Sequence, residues 1–117
     1  MTASNPLMRG AIVKLEKAGS GGRAPVWNAS ARMLGAPAGR RVEVNLGRLS
    51  RISKQGEPIF VPGKVLGFGT LDKKLTVGAF SFSAAARSKI VAAGGVALSV
   101  AQFLDKFPEG KGVKLVR

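Results

Sequence analysis

The segment from Arg40 to Lys54 holds the residues with the clearest capacity for ligand chemistry. It carries five basic side chains and one acid, Glu43, and a sixth basic residue lies just upstream. Four of the five are arginines, whose planar guanidinium groups suit phosphate and the Hoogsteen edge of guanine better than lysine does. The pattern predicts contacts with nucleic-acid phosphate, and a solvated basic loop is the alternative. The candidate residues are Arg32, Arg40, Arg41, Arg48, Arg51 and Lys54.

A second candidate segment runs from Pro62 to Lys74 and combines glycines with lysines. The glycines would allow the backbone to approach a ligand closely, or would only form tight turns between strands, and both interpretations stay open. The spacing matches neither the phosphate loop of nucleotide hydrolases nor the dinucleotide-binding fingerprint. The lysines are predicted to contact phosphate. They are Lys64, Lys73 and Lys74.

The charge balance points to a polyanionic partner. Nineteen Lys and Arg residues oppose six Asp and Glu residues, which gives a net charge of +13. An excess of this size on a small domain destabilises the folded state by self-repulsion, so neutralisation by a partner is expected. Nucleic acid ranks above an anionic membrane surface, because the cations do not lie opposite an exposed apolar stripe.

Several classes of enzyme are excluded by the residues that are missing. The chain has no Cys and no His, so zinc sites of the usual kind and Cys-His or Ser-His nucleophiles cannot form. The six acids are scattered along the chain. An RNA-directed enzyme with Asp72 and Lys73 or Lys74 as acid and base is the remaining enzymatic alternative.

The chain is predicted to fold as one intracellular domain. Its apolar content of 45% excludes a wholly disordered polypeptide. No apolar run approaches the roughly 18 residues of a membrane span, and polar residues and Pro6 stand where a signal peptide would be apolar.

Helices are predicted at both ends of the chain. Asn5 can cap a first helix that ends at Gly19, and a second helix runs from Pro25 to about Leu34. Trp27 could stack on a nucleobase, but its place in a helical apolar pattern favours the core. Two later helices begin at Ser83, and at Ser99 with a capping box to Gln102.

Short strands fill most of the remaining chain, and the stretch from Gly47 to Lys54 is predicted to be irregular. The predicted strands are Val42–Asn45, Ile59–Val61, Lys64–Leu66, Leu75–Phe82, Val96–Leu98 and Val113–Val116. The order of elements predicts a single α/β domain over 1–117, with a basic helical segment at 1–41 and an α/β core at 42–117.

Three collinear motifs carry a resemblance to a known family. The sequence resembles ribosomal protein eighteen of the archaeal and eukaryotic large subunit, a family related to bacterial ribosomal protein fifteen. The motifs are Val42–Leu49, then Pro62–Gly67 followed by Leu71–Val77, then Ala92–Gly95 leading into Leu98-Ser99. The short chain resembles the archaeal version. The resemblance implies an irregular superhelix of strand-strand-helix units in the cytoplasmic ribosome, bound to large-subunit rRNA beside neighbouring ribosomal proteins. It also implies no catalysis, no cofactor and no small-molecule substrate.

Carried over by position, the resemblance assigns rRNA contacts to eight residues. They are Arg40, Arg41, Asn45, Arg48, Arg51, Lys64, Lys73 and Lys74. The predicted function is therefore a structural protein that binds rRNA through basic loops. A chromatin-like protein that coats DNA is the alternative, because it explains the net charge equally well.

Overall fold

The computed structural model describes residues 6–20, 24–37, 39 and 41–117. The helices are α1 (Pro6–Ala18), α2 (Pro25–Leu34), α3 (Leu46–Ile52), α4 (Ala84–Ala92) and α5 (Val100–Lys106). The strands are β1 (Val42–Asn45), β2 (Pro58–Leu66), β3 (Thr76–Phe82), β4 (Val96–Leu98) and β5 (Lys114–Leu115). None of these helices combines the length and the apolar character that crossing a bilayer requires.

The strands form one five-stranded sheet in the order β1-β2-β3-β4, with β5 also paired to β2. Every pairing is parallel, so each connection must cross over a sheet face, and α3 and α4 provide two of these crossovers. β1 pairs with the second half of β2 and β5 with the first half, so both lie along the same edge. The predicted α/β class is confirmed.

Each face of the sheet is covered by helices. One core contains α3, α4 and the side chains of Ile59 and Val61, and the other contains α1, α2, α5 and Phe60. The alternation along β2 explains this division, because successive side chains of a strand point to opposite faces. α3 therefore lies on the opposite side of the sheet from α1 and α2.

Trp27 belongs to the second core, as predicted. Its side chain is fully buried, and its ring meets Phe60 and Phe103 edge-on at centroid distances of 5.2 and 5.9 Å. The indole N–H donates to the carbonyl of Pro108 at 3.0 Å. The aromatic cluster therefore joins α2 to β2 and α5.

The predicted irregular stretch after Gly47 is wrong, because Leu46–Ile52 forms α3. Leu46, Leu49 and Ser50 are buried at helical spacing, and this packing stabilises a helix that would be too short to persist alone. The charge of the segment and the low helix propensity of Gly47 concealed that spacing.

Two further predictions on the strands are corrected. The predicted strands on either side of Pro62-Gly63 are one strand, β2, whose register with β3 shifts between Val61 and Lys64. A bulge of this kind accommodates a proline, which has no N–H to donate to the ladder. The last strand is shorter than predicted, because only Lys114 and Leu115 pair with β2. The helices at Ser83 and Ser99 and the capping box are confirmed.

Candidate nucleic-acid interface

α3 presents arginines on the side that faces away from the sheet. Its buried residues follow a spacing of three and four, so Arg48 and Arg51 share the opposite, exposed side. We call the region around them the α3 surface, which comprises α3, the segments 53–57, 67–74 and 114–117, and Lys89. Hydrogen bonds join all of these parts.

Two lysines hold the C-terminal end of α3. The ammonium group of Lys73 donates to the carbonyls of Ser50 and Ser53 at 2.5 and 2.6 Å, and that of Lys114 donates to the carbonyl of Ile52 at 2.7 Å. The last carbonyls of a helix lack partners within it, and its C-terminal end attracts positive charge. Lys73 and Lys114 therefore stabilise the end of α3.

The glycine-rich loop 67–69 packs against the start of α3. The N–H of Gly47 donates to the carbonyl of Phe68 at 3.0 Å, and a Cβ added at Gly69 would lie 2.6 Å from the Cα of Gly47. Gly69 also has a φ of +98°, which other residues rarely adopt. From α4, Lys89 donates to the carbonyls of Gly67 and Gly69 at 2.7 and 2.9 Å. The glycines thus serve close packing between loop and helix.

Four cations of the α3 surface keep their side-chain donors available. The side chains of Arg51, Lys54, Lys74 and Arg117 are exposed and make no hydrogen bond or ion pair with the described residues. Arg48 is also exposed, and one of its terminal nitrogens donates to the carbonyl of Arg117 at 2.7 Å. The surface carries eight basic side chains against two acids. They are Arg48, Arg51, Lys54, Lys73, Lys74, Lys89, Lys114 and Arg117, against Glu57 and Asp72.

Two other predicted residues lie elsewhere. Arg41 and Lys64 line an open cleft of about 510 Å³ together with Met8 and Leu34, which belong to the core of α1 and α2. The acid Glu43 lines the same cleft and pairs with Lys64 in the sheet register. The cleft is therefore less positive than the α3 surface, and the structure separates the predicted cations into two groups.

The remaining predicted residues belong to neither group of cations. Arg32 is exposed in the last turn of α2. Asn45 occupies the capping position before α3, but its side chain makes no capping hydrogen bond. Arg40 lies outside the described residues, as does the predicted cap Asn5.

Sequence reasoning missed Lys89 and Phe68. Lys89 has the sequence context of a solvent-exposed residue in a helix, and no local pattern indicates that its side chain reaches the loop 67–69. Phe68 is 81% exposed between two glycines, where only its aromatic character in a predicted turn could have drawn attention.

Lys73 and Lys74 offer a matched test of the two roles that cations have on this surface. We expect Lys73→Met to lower the free energy of unfolding by about 1.5 to 3 kcal/mol, because it removes charge-assisted hydrogen bonds to two carbonyls. Lys74→Met should change it by less than about 0.5 kcal/mol, because that side chain is exposed. Urea unfolding followed by circular dichroism measures both, and equal effects would contradict the assignment.

Comparisons with known proteins agree with the resemblance in the sequence. A family model that describes ribosomal proteins 50S-L15 and 50S-L18e, together with a protein of the 60S subunit, matches residues 40–98. "Large ribosomal subunit protein eL18" of Methanococcus maripaludis is 39% identical over 97% of this chain and 95% of its own length. The protein of the same name from Archaeoglobus fulgidus is 40% identical over 99% of both chains. On this evidence the chain belongs to the family that contains ribosomal proteins 50S-L15 and 50S-L18e.

Proposed function

We propose that this chain is a structural constituent of the large ribosomal subunit and that its α3 surface binds large-subunit rRNA. Its relatives are named as large-subunit proteins, and the match extends over nearly the whole chain. Neighbouring ribosomal proteins are its further partners. The ribosomal role is structural, and the chain is not an enzyme.

The proposed rRNA contact is supported by a set of unpartnered cations on a helix and loop that hydrogen bonds hold in place. Arg51, Lys54 and Lys74 have no partner among the described residues, while the helix and loop beneath them are held by Lys73, Lys114 and Lys89. Phosphate contacts release counterions and supply most of the affinity. A fixed frame means that little backbone conformational entropy is lost when those contacts form, so the entropy cost comes from the side chains.

The second group of cations supports a role in holding RNA segments together. Arg41 and Lys64 line a cleft beside α1 and α2, whereas the α3 surface lies on the other side of the sheet. One rigid domain with cations on two sides can contact two segments of RNA and fix their separation. Base reading is secondary, because A-form RNA is recognised mainly through its shape and backbone.

The geometry does not support Asp72 and Lys73 as acid and base, and Lys74 makes no ion pair with a carboxylate of the described residues. The carboxylate of Asp72 accepts a hydrogen bond from Ser50 Oγ at 3.0 Å, and Lys73 is occupied by the carbonyls at the end of α3. Both groups therefore stabilise the frame of the α3 surface.

Sedimentation tests the proposed function against the DNA-coating alternative. A lysate is run on magnesium-containing gradients at low and high salt, and the chain is detected across the fractions. We expect it to migrate with the large subunit at both salt concentrations. Migration near the top of the gradient, together with equal affinity of the purified protein for duplex DNA and for rRNA, would favour a DNA-coating protein.

A further inference from the structure

Phe68 is the most exposed aromatic side chain that the described part of the chain offers. It is 81% exposed, whereas Phe60 and Phe103 are fully buried. A single exposed apolar residue is common and by itself indicates nothing. What distinguishes Phe68 is the way its backbone is held and the charge of the residues around it.

The loop that presents Phe68 is fixed on three sides. The Phe68 carbonyl accepts from the N–H of Gly47, and the carbonyls of the two flanking glycines accept from Lys89. A Cβ added at Gly67 would lie 2.6 Å from the Cβ of Ala85, so the loop also packs tightly on α4. A ring on such a loop loses little conformational entropy when it meets a partner, which favours its use as a contact.

The surroundings of Phe68 match a nucleic acid better than an apolar protein patch. The N–H of Gly47 donates to the carbonyl of Phe68, and a terminal nitrogen of Arg51 lies 3.6 Å from where a Cβ on Gly47 would be. On the other side of the loop, Lys89 donates to the carbonyls of Gly67 and Gly69. Gly69 lines a shallow hollow of about 260 Å³ with an apolar wall from Leu71, Ala92 and Ala93. Cations next to the loop that carries an exposed ring are suited to phosphates next to a base.

We propose that Phe68 stacks on an unpaired base of the rRNA that the α3 surface binds. This inference rests on the proposed function and adds a contact of a different chemical kind. Phosphate contacts from Arg51 and its neighbours position the RNA backbone, and the ring then accepts one unstacked base. Stacking on aromatic side chains is tolerant of sequence, because every base has a π-face.

Phe68→Ala tests the stacking contact in filter binding, with large-subunit rRNA purified from ribosomes of the source cells as the probe. We expect affinity to fall about tenfold, which is within the range measured for one stacked base. The slope of log affinity against log salt should stay at the wild-type value, because no phosphate contact is lost. A fully paired RNA duplex offers no unstacked base in its interior, so its affinity should not change.

Two further variants separate stacking from general apolar contact. Phe68→Leu keeps an apolar side chain without a planar ring, and it should bind as weakly as Phe68→Ala. Phe68→Trp keeps a planar ring, so it should bind rRNA with the wild-type affinity. The fluorescence of the introduced indole should be quenched when rRNA is added. Trp27 is the only tryptophan of the chain and is fully buried, so its emission supplies a constant background.

The outcomes keep this inference distinct from the proposed function. Wild-type affinity for Phe68→Ala, or full recovery with Phe68→Leu, would overturn the stacking contact and leave rRNA binding intact. Absence of any salt-dependent binding by the wild-type protein would overturn both. Because Phe68 is exposed, its variants should keep the circular dichroism spectrum of the wild type, which excludes unfolding as the cause of a loss.

Discussion

Replacing Arg48 and Arg51 together by alanine should lower the affinity for large-subunit rRNA about 50-fold at roughly 0.1 M salt. Both side chains are exposed on the outer side of α3, and each is expected to neutralise one phosphate. Each lost phosphate contact reduces the slope of log affinity against log salt by about 0.7 to 0.9, so the double variant should lose about 1.4 to 1.8. Filter binding between about 0.05 and 0.5 M salt gives both quantities.

A matched pair on another helix provides the control. Arg9→Ala with Lys17→Ala removes the same charge from exposed positions of α1, which packs on the opposite face of the sheet from α3. Its slope should stay close to the wild-type value. If the slope of log affinity against log salt falls by the same amount in both double variants, rRNA affinity depends only on net charge. The assignment of the phosphate contacts to the α3 surface would then be wrong.

The single variants of the same pair should also differ. Arg48 donates to the carbonyl of Arg117, so Arg48→Ala removes an internal hydrogen bond as well as a phosphate contact. Arg51 makes no such bond with the described residues, and Arg51→Ala should change rRNA binding without changing the free energy of unfolding. This contrast distinguishes two arginines that the sequence alone presents as equivalent.

The amphipathic helices and the burial of Trp27 could be predicted from sequence because their signals are local. The apolar spacing in α1 and α2 marks the buried sides of these helices, and Ser99 with Gln102 forms the predicted capping box. The buried place of Trp27 followed from the same periodicity. These features depend on residues within one or two turns of each other.

The roles of individual cations could not be predicted in the same way. Lys73 and Lys74 are neighbours of the same type, yet only Lys73 reaches the end of α3, which lies about twenty residues earlier in the chain. Whether a lysine side chain reaches a helix end that is distant in sequence depends on tertiary packing. α3 itself was missed for the same reason, because its stability comes from Leu46 and Leu49 packed on the sheet.

Trp27→Ala should lower the free energy of unfolding by about 3 to 5 kcal/mol, a large part of the total for a domain of this size. The variant leaves a cavity between Phe60 and Phe103 and removes the hydrogen bond to the Pro108 carbonyl. Urea unfolding should be followed by circular dichroism, because the substitution removes the fluorescent side chain.

Phe68→Ala is the control for Trp27→Ala, since it also removes an aromatic ring but from an exposed position. We expect its free energy of unfolding to stay within about 0.5 kcal/mol of the wild type. The two substitutions should thus affect different quantities. Trp27→Ala lowers the free energy of unfolding, and Phe68→Ala lowers only the affinity for rRNA. If Trp27→Ala lowered the free energy of unfolding by less than about 1 kcal/mol, the loss expected for a large-to-small substitution in a well-packed core would be wrong here. The aromatic cluster would then not be the main contact between the helices and β2.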